Sequence, residues 1–271
     1  WTELADLNAP TQQNQGTGTS TAALTTGSGP SAGGTNELWN GTSWTEVNNL
    51  TTARGQAASA GTSTAALYFG GLIPPVSALC ETWNGTSWSE TADLNTARRY
   101  PYGNGATNTA ALCMGGNNQH PGSTSIANSE TWNGTSWTET NNISTARNNG
   151  GSGGPSTSAL MFGGGVPSAT AKTESYDGTS WTEVAALAVA RGDATGVAAV
   201  DNTTALAFFG SAVPVANLAA EEWSAPAVFT QLNEGQIWYN TTGNALKYTG
   251  VAAGTWASGG DLNTARASNS A

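Results

Sequence analysis

Short apolar runs that end in glycine recur along the chain. They begin at Ala65, Ala110, Ala159 and Ala205, and the first reads Ala-Ala-Leu-Tyr-Phe-Gly-Gly. Their apolar residues are consecutive rather than alternating, so both faces of each strand must be covered. The pattern predicts buried strands in sheets that pack face to face.

A second pattern alternates with the apolar runs: an acidic residue, an aromatic residue, a turn pair and a tryptophan. The turn pairs are Asn40-Gly41, Asn84-Gly85, Asn133-Gly134 and Asp177-Gly178. Such pairs accept positive φ and favour a tight hairpin. Each unit is therefore predicted to have four strands: one after a repeated arginine, the apolar run, a Glu-x-Trp strand and a Trp-Thr-Glu strand.

The tryptophan after each turn sets the period of the repeat. It occurs at Trp1, Trp44, Trp88, Trp137 and Trp181, in steps of 43, 44, 49 and 44 residues. Steps of this size suit one four-stranded propeller blade per repeat. Gly-Gly after an apolar strand, then Glu-Ser-Tyr176-Asp177, Trp181 and Arg191, resembles the kelch repeat, and the resemblance covers roughly residues 11–223. It implies a β-propeller whose blades carry binding surfaces more often than catalytic ones.

We therefore expect an all-β fold, a β-propeller with kelch-like four-stranded blades, six in number with the last one shortened. The expected blades are at about 11–47, 54–91, 98–140, 147–184, 191–232 and 233–262. Residues 1–10 are a candidate closing strand, because Trp256 to Arg266 repeats the register that begins at Trp1. The alternative is a chain cut from a tandem array, and the opening residue Trp1 favours a fragment or processed product.

About a dozen residues near the C-terminal end of the chain indicate which kind of protein it comes from. The segment Gly235 to Gly250, with its Thr-Thr-Gly-Asn turn, resembles a hairpin of bacteriophage tail-fibre and other virion-surface proteins. The resemblance implies a location on the virion surface, outside the cell, and other virion proteins as partners. A homo-oligomer is also compatible with it.

Charge and hydropathy exclude several classes of partner. The net charge is −10 and the pI is about 4.3, whereas nucleic acids and anionic membranes require clustered Lys and Arg. No apolar run approaches the length of a transmembrane helix. We expect no nucleic-acid binding and no membrane insertion.

The residues needed for metal or acid–base chemistry are scarce. The chain has one histidine, His120, so a site with several imidazoles is impossible, and we expect no metal and no cofactor. Most acidic residues belong to the repeat and are interpreted as scaffold, so no catalytic residue is assigned and no enzymatic activity is expected. Cys80 and Cys113 are predicted to be buried free thiols rather than a disulfide.

Two sets of residues are candidates for ligand binding. Arg54, Arg98, Arg147 and Arg191 could form a ring near one channel mouth that holds acidic sugars. The structural interpretation pairs them with Glu46, Glu90, Glu139 or Glu183, or with loop carbonyls. Tyr100, Tyr102 and His120 break the repeat and could stack on or bond to sugars, with local packing as the alternative.

The favoured function is a non-enzymatic surface module of a bacteriophage fibre or decoration protein that binds host-surface polysaccharide. The Ser/Thr/Asn/Gly-rich composition suits hydrogen bonding to glycans without nonspecific charge. One alternative is a purely structural spacer in a tandem array. Another is a cellular kelch domain that binds proteins.

Overall fold

The fold comes from a computed structural model of the chain. It describes residues 2–27, 35–166, 168–193, 195–198, 201–208, 211–212, 215–216, 220–225, 237–240 and 245–248. These ranges contain strands, turns and loops but no helix. The chain divides into two compact units, Trp1–Ala225 and Pro226–Ala271. The predicted all-β class is confirmed.

The described residues of the first unit form five sheets of three or four strands, which we number in chain order. Sheet 1 comprises β1 (Gln15–Thr19), β2 (Ala22–Thr26), β3 (Asn36–Trp39) and β4 (Trp44–Val47). Sheet 2 comprises β5 (Ala58–Thr62), β6 (Ala65–Phe69), β7 (Cys80–Trp83) and β8 (Trp88–Thr91). Sheet 3 comprises β9 (Tyr102–Thr107), β10 (Ala110–Met114), β11 (Ser129–Trp132) and β12 (Trp137–Thr140).

Sheets 4 and 5 each have a short hairpin inserted between their second and third strands. Sheet 4 comprises β13 (Gly151–Gly153), β14 (Ala159–Phe162), β17 (Thr173–Tyr176) and β18 (Trp181–Val184), with the inserted β15 (Gly165–Val166) and β16 (Ser168–Ala169). Sheet 5 comprises β19 (Thr195–Ala198), β20 (Thr204–Phe208) and β23 (Glu221–Ser224), with the inserted β21 (Ser211–Ala212) and β22 (Val215–Ala216). Its predicted fourth strand, 229–232, lies outside the described residues.

The third and fourth strands of sheets 1 to 4 form the predicted hairpins. In each, the aromatic residue that ends the third strand pairs with the tryptophan that begins the fourth: Trp39 with Trp44, Trp83 with Trp88, Trp132 with Trp137, and Tyr176 with Trp181. Their ring centroids lie 4.9 to 5.5 Å apart. These cross-strand pairs supply apolar area where the turn brings the two strands together.

Neighbouring sheets meet along their first strands. β1 lies against β5, β5 against β9, β9 against β13, and β13 against β19. The approach is close: a Cβ on Gly103 of β9 would lie 2.5 Å from the Cβ of Ala58 in β5. Sheets that share a row of first strands in this way are compatible with a propeller.

The core lies between neighbouring sheets. One cluster joins Leu67 and Phe69 of sheet 2 to Cys113 and Trp137 of sheet 3, with the rings of Phe69 and Trp137 5.0 Å apart. Their second strands, β6 and β10, are buried along nearly their whole length, as the consecutive apolar residues predict. Cys80 belongs to the same cluster, and both cysteines are buried and free, as predicted.

Two predicted elements at the ends of the chain can be placed only in part. In the second unit, β24 (Ile237–Asn240) pairs antiparallel with β25 (Ala245–Tyr248), the hairpin that the sequence predicts. The rest of the predicted sixth blade lies outside the described residues. Residues 2–10, the candidate closing strand, are not in a strand, and the backbone N–H groups of Asn8 and Ala9 donate to the Glu37 carboxylate.

Candidate functional site

The four repeated arginines are buried structural residues. No part of their side chains is exposed, and each donates to a glutamate on the third strand of the sheet that follows it. The pairs are Arg54 with Glu81, Arg98 with Glu130, Arg147 with Glu174, and Arg191 with Glu221.

The observed ion pairs correct one detail of the interpretation that the arginines are structural. The partner is the third-strand glutamate, whereas the sequence suggested the fourth-strand residues Glu46, Glu90, Glu139 and Glu183. Of these, Glu183 bonds to Lys172 at 2.9 Å, and the others form no ion pair within the described part of the chain. Sequence proximity favoured the wrong glutamate because the link that carries each arginine lies on the third strand of the next sheet.

The same glutamate also holds the backbone of the link. The Glu130 carboxylate accepts from the backbone N–H of Asn95 at 2.7 Å and of Thr96 at 3.2 Å. Arg98 donates in addition to the carbonyls of Gly115, at 3.1 Å, and Asn128, at 2.7 Å. Its charge and donors are used inside the protein, which leaves no guanidinium surface for an acidic sugar.

The glycines after each apolar run make room for the next link. Gly70 has a φ of +73°, and a Cβ there would lie 2.7 Å from the carbonyl oxygen of Arg98. The N–H of Gly71 donates to that same carbonyl at 2.8 Å. Only glycine allows the left-handed backbone together with this close approach.

One position in each of five repeats has an unusual backbone. It lies two residues after the repeated arginine or, in the first repeat, two residues after Thr11. These residues are Gln13 (φ 61°), Gln56 (φ 60°), Tyr100 (φ 51°), Asn149 (φ 61°) and Asp193 (φ 47°). We call them the polar rim. A left-handed residue other than glycine costs on the order of 1–3 kcal/mol, and such residues cluster at functional sites. The backbone is left-handed at all five positions, whereas the side chains are of four types.

Hydrogen bonds connect successive members of the polar rim. The N–H of Gln56 donates to the carbonyl of Gln13 at 3.2 Å, and the N–H of Tyr100 donates to the carbonyl of Gln56 at 2.6 Å. Asn149 continues the series by donating its N–H to the carbonyl of Tyr100 at 3.3 Å. Its side-chain amide donates to the carboxylate of Asp193. The rim is thus a continuous polar structure across five repeats.

A cavity of about 580 Å³ opens beside the rim. Its lining includes Tyr100, Asn149 and Asp193 of the rim, together with Gln15 of β1 and Ser152 of β13. Amides and hydroxyls both donate and accept hydrogen bonds, so this wall can match a ligand rich in hydroxyl groups. Burial raises the pKa of the Tyr100 phenol, so it remains a neutral hydrogen-bonding group at physiological pH.

The other two candidates from the sequence have different positions. Tyr102 lines the cavity but is only 2% exposed, and its hydroxyl donates to the carbonyl of Gly163 at 3.0 Å. Burial raises the pKa of this phenol well above its ordinary value. His120 is half-buried in the loop between β10 and β11 and is not among the lining residues. The structure therefore brings Tyr100 and Tyr102 together at the cavity, without His120.

Sequence reasoning missed most of the rim. Gln13, Gln56, Asn149 and Asp193 are ordinary polar residues, and their positive φ cannot be recognised from their identity. A signal was nevertheless present: the position two residues after each arginine changes in every unit, while the Ala-Arg pair before it repeats. A varying residue at a fixed place in a repeat is a candidate for ligand contact.

Metal-binding clusters and membrane-spanning helices are absent from the part of the chain that the structure describes. Those residues contain no group of three or more His, Cys, Asp or Glu side chains that could hold a metal ion. They also contain no helix long and apolar enough to cross a membrane.

Comparison with known proteins supports the fold. No family model matches the chain, and no curated protein matches it. Among solved structures, that of YjhT matches with a TM-score of 0.65 and 13% identity, covering 76% of this chain and 75% of that one. At this identity the likeness concerns the fold alone.

Proposed function

We propose that the chain is a six-bladed, kelch-like β-propeller of a bacteriophage fibre or decoration protein that binds host-surface glycans. The repeated Glu-x-aromatic, turn and Trp pattern supports the kelch-like assignment, as does the row of first strands. The resemblance of residues 235–250 to virion-surface hairpins supports the phage assignment and a location on the virion surface. Other virion proteins are the proposed assembly partners.

The observation that carries glycan binding is the composition of the cavity wall. Pockets for small molecules usually measure about 300–1,000 Å³ and are lined mostly by apolar side chains. This cavity has a comparable volume, but Asn14, Gln15, Asn149 and Ser152 give it many groups that can both donate and accept. A polyhydroxylated ligand satisfies such groups better than an apolar one.

A binding role fits this cavity better than hydrolysis. Glycosidases ordinarily place two carboxyl groups on opposite sides of the scissile bond. Asp193 is the one carboxylate among the described residues that line the cavity. The groups of the wall suit a saccharide, but its described residues do not supply the usual acid and base pair.

The test is binding of the chain to an array of glycans and bacterial surface polysaccharides. The variant Asn149→Gly removes a lining amide and keeps a residue that accepts the left-handed backbone. The control Thr45→Ala changes an exposed residue of β4 outside the cavity. We expect saturable binding by the parent chain and the control, weakened about tenfold or more in Asn149→Gly, the effect of losing one to two hydrogen bonds.

A different result would favour the spacer role. If neither the parent chain nor any variant bound a glycan above background, the glycan-binding function would be wrong. Binding that is equally strong in Asn149→Gly and in the parent chain would place the site elsewhere.

A further inference from the structure

The positive charges near the cavity are already engaged. Arg98 and Arg147 end the links just before Tyr100 and Asn149, but both guanidinium groups are buried against glutamates. Another cation of this region, Arg99, donates to the side-chain carbonyl of Gln56 at 3.3 Å and to the carbonyl of Gly122 at 2.9 Å. These bonds hold the Arg99 guanidinium group against Gln56 and the loop between β10 and β11.

The described part of the cavity wall carries a negative charge. Among the described residues that line the cavity, none is Lys, Arg or His, while Asp193 is exposed. The chain as a whole has a net charge of −10. A ligand carboxylate near Asp193 would therefore meet a like charge, and the described lining residues offer it no cation, which disfavours binding.

The neutral groups of the wall favour the hydroxyl groups of a sugar over a carboxylate. Gln15, Asn149 and Ser152 line the cavity with amides and a hydroxyl, which can donate to or accept from a sugar hydroxyl. A carboxylate only accepts, so replacing a hydroxymethyl group with a carboxylate removes a donor and adds charge. The lost donor and the added charge both weaken the binding of an acidic saccharide.

We propose that the cavity selects uncharged saccharides and discriminates against those that carry a carboxylate, with Asp193 as the specificity-determining residue. This rests on the proposed glycan-binding function and names its ligand class. It replaces the acidic-sugar specificity that the repeated arginines suggested from the sequence.

The experiment uses oligosaccharides of matched linkage that differ only in oxidation at C6: galactan against galacturonan, and glucan against glucuronan. Binding is measured by calorimetry with the parent chain, Asp193→Asn and the control Glu183→Gln. Asparagine accepts the left-handed backbone, so Asp193→Asn removes the charge with little strain. Glu183 is a half-exposed carboxylate of β18 that does not line the cavity.

For the parent chain and Glu183→Gln we expect at least one neutral oligosaccharide to bind about tenfold or more tightly than its acidic partner. In Asp193→Asn the difference should shrink to about threefold or less through tighter binding of the acidic partner. Equal or tighter binding of the acidic oligosaccharides by the parent chain would overturn the proposal and leave glycan binding intact. So would an unchanged preference in Asp193→Asn. If no oligosaccharide of either kind bound, the proposed glycan-binding function would be wrong, and this inference would be wrong as well.

Discussion

Arg98 and Glu130 form a fully buried ion pair, with Nη2 of the arginine 2.5 Å from Oε1 of the glutamate. The arginine ends the link that leaves sheet 2, and the glutamate belongs to β11 of sheet 3. The pair therefore fixes the path of the chain between neighbouring sheets, and its equivalents do the same at three other links. This arrangement explains why the arginine recurs in the sequence.

Removing one member of this pair should strongly destabilise the fold. Arg98→Met leaves the Glu130 carboxylate buried without its cation, which typically costs about 3–5 kcal/mol. We expect the thermal midpoint to fall by on the order of 10 °C. The control Lys172→Met breaks an exposed pair and should cost about 1 kcal/mol or less. Similar midpoints for both variants would contradict the structural role of Arg98.

The rim backbone makes glycine preferable to alanine at Tyr100. Both Tyr100→Gly and Tyr100→Ala remove the phenol, so their difference isolates the effect of the left-handed backbone (φ 51°). We expect the glycine variant to be more stable by about 1 kcal/mol in denaturant unfolding. At Ser59, within β5, the order should reverse, because glycine weakens a regular strand. An alanine variant as stable as the glycine variant at position 100 would refute this account of the rim.

The close packing of first strands predicts a sharp contrast between two glycines. Gly103 of β9 lies against Ala58 and the ring of Phe69, and a Cβ would come within 2.5 Å and 2.9 Å of them. Gly16 of β1, at the same offset from its rim residue, has no atom within 4 Å of such a Cβ. We expect Gly103→Ala to lower the unfolding free energy by about 1–3 kcal/mol, and Gly16→Ala to leave it nearly unchanged. Equal effects would show that sheets 2 and 3 are not packed this closely.

Burial should protect both cysteines from reaction. It raises the pKa of the Cys80 and Cys113 thiols to about 12, so almost no thiolate forms at pH 8. We expect an aromatic disulfide reagent to label neither thiol in the native chain and both after unfolding. Rapid labelling of the native chain at pH 8 would place a thiol at the surface.

The same pKa shifts make stability depend on pH. The folded state favours the protonated thiols, so their contribution is complete below about pH 9 and is lost between pH 9 and 12. Denaturant titrations should show the unfolding free energy falling across that window. The fall should be smaller in Cys113→Ala, which removes one of the titrating groups, and an equally steep fall in that variant would contradict this assignment.

The sequence was sufficient to predict the sheets but not the geometry of the candidate site. Hairpins such as Trp83 with Trp88 are visible because their turn residues and aromatics repeat at fixed spacing. The partner of each arginine was assigned to the wrong strand, because spacing within one unit does not show how its link lies on the next. The left-handed backbone of Gln56 or Asn149 was invisible, since these residues ordinarily adopt negative φ and the local fold imposes the exception.

We expect a saccharide to bind in the cavity beside the polar rim. Amide chemical-shift mapping during titration with a neutral oligosaccharide from the glycan array tests it most directly. We predict saturable shifts at Tyr100, Asn149 and Gly151, with the outer-strand residues Thr45 and Thr138 unchanged. Shifts confined to the outer strands, with the cavity amides unmoved, would contradict the claim.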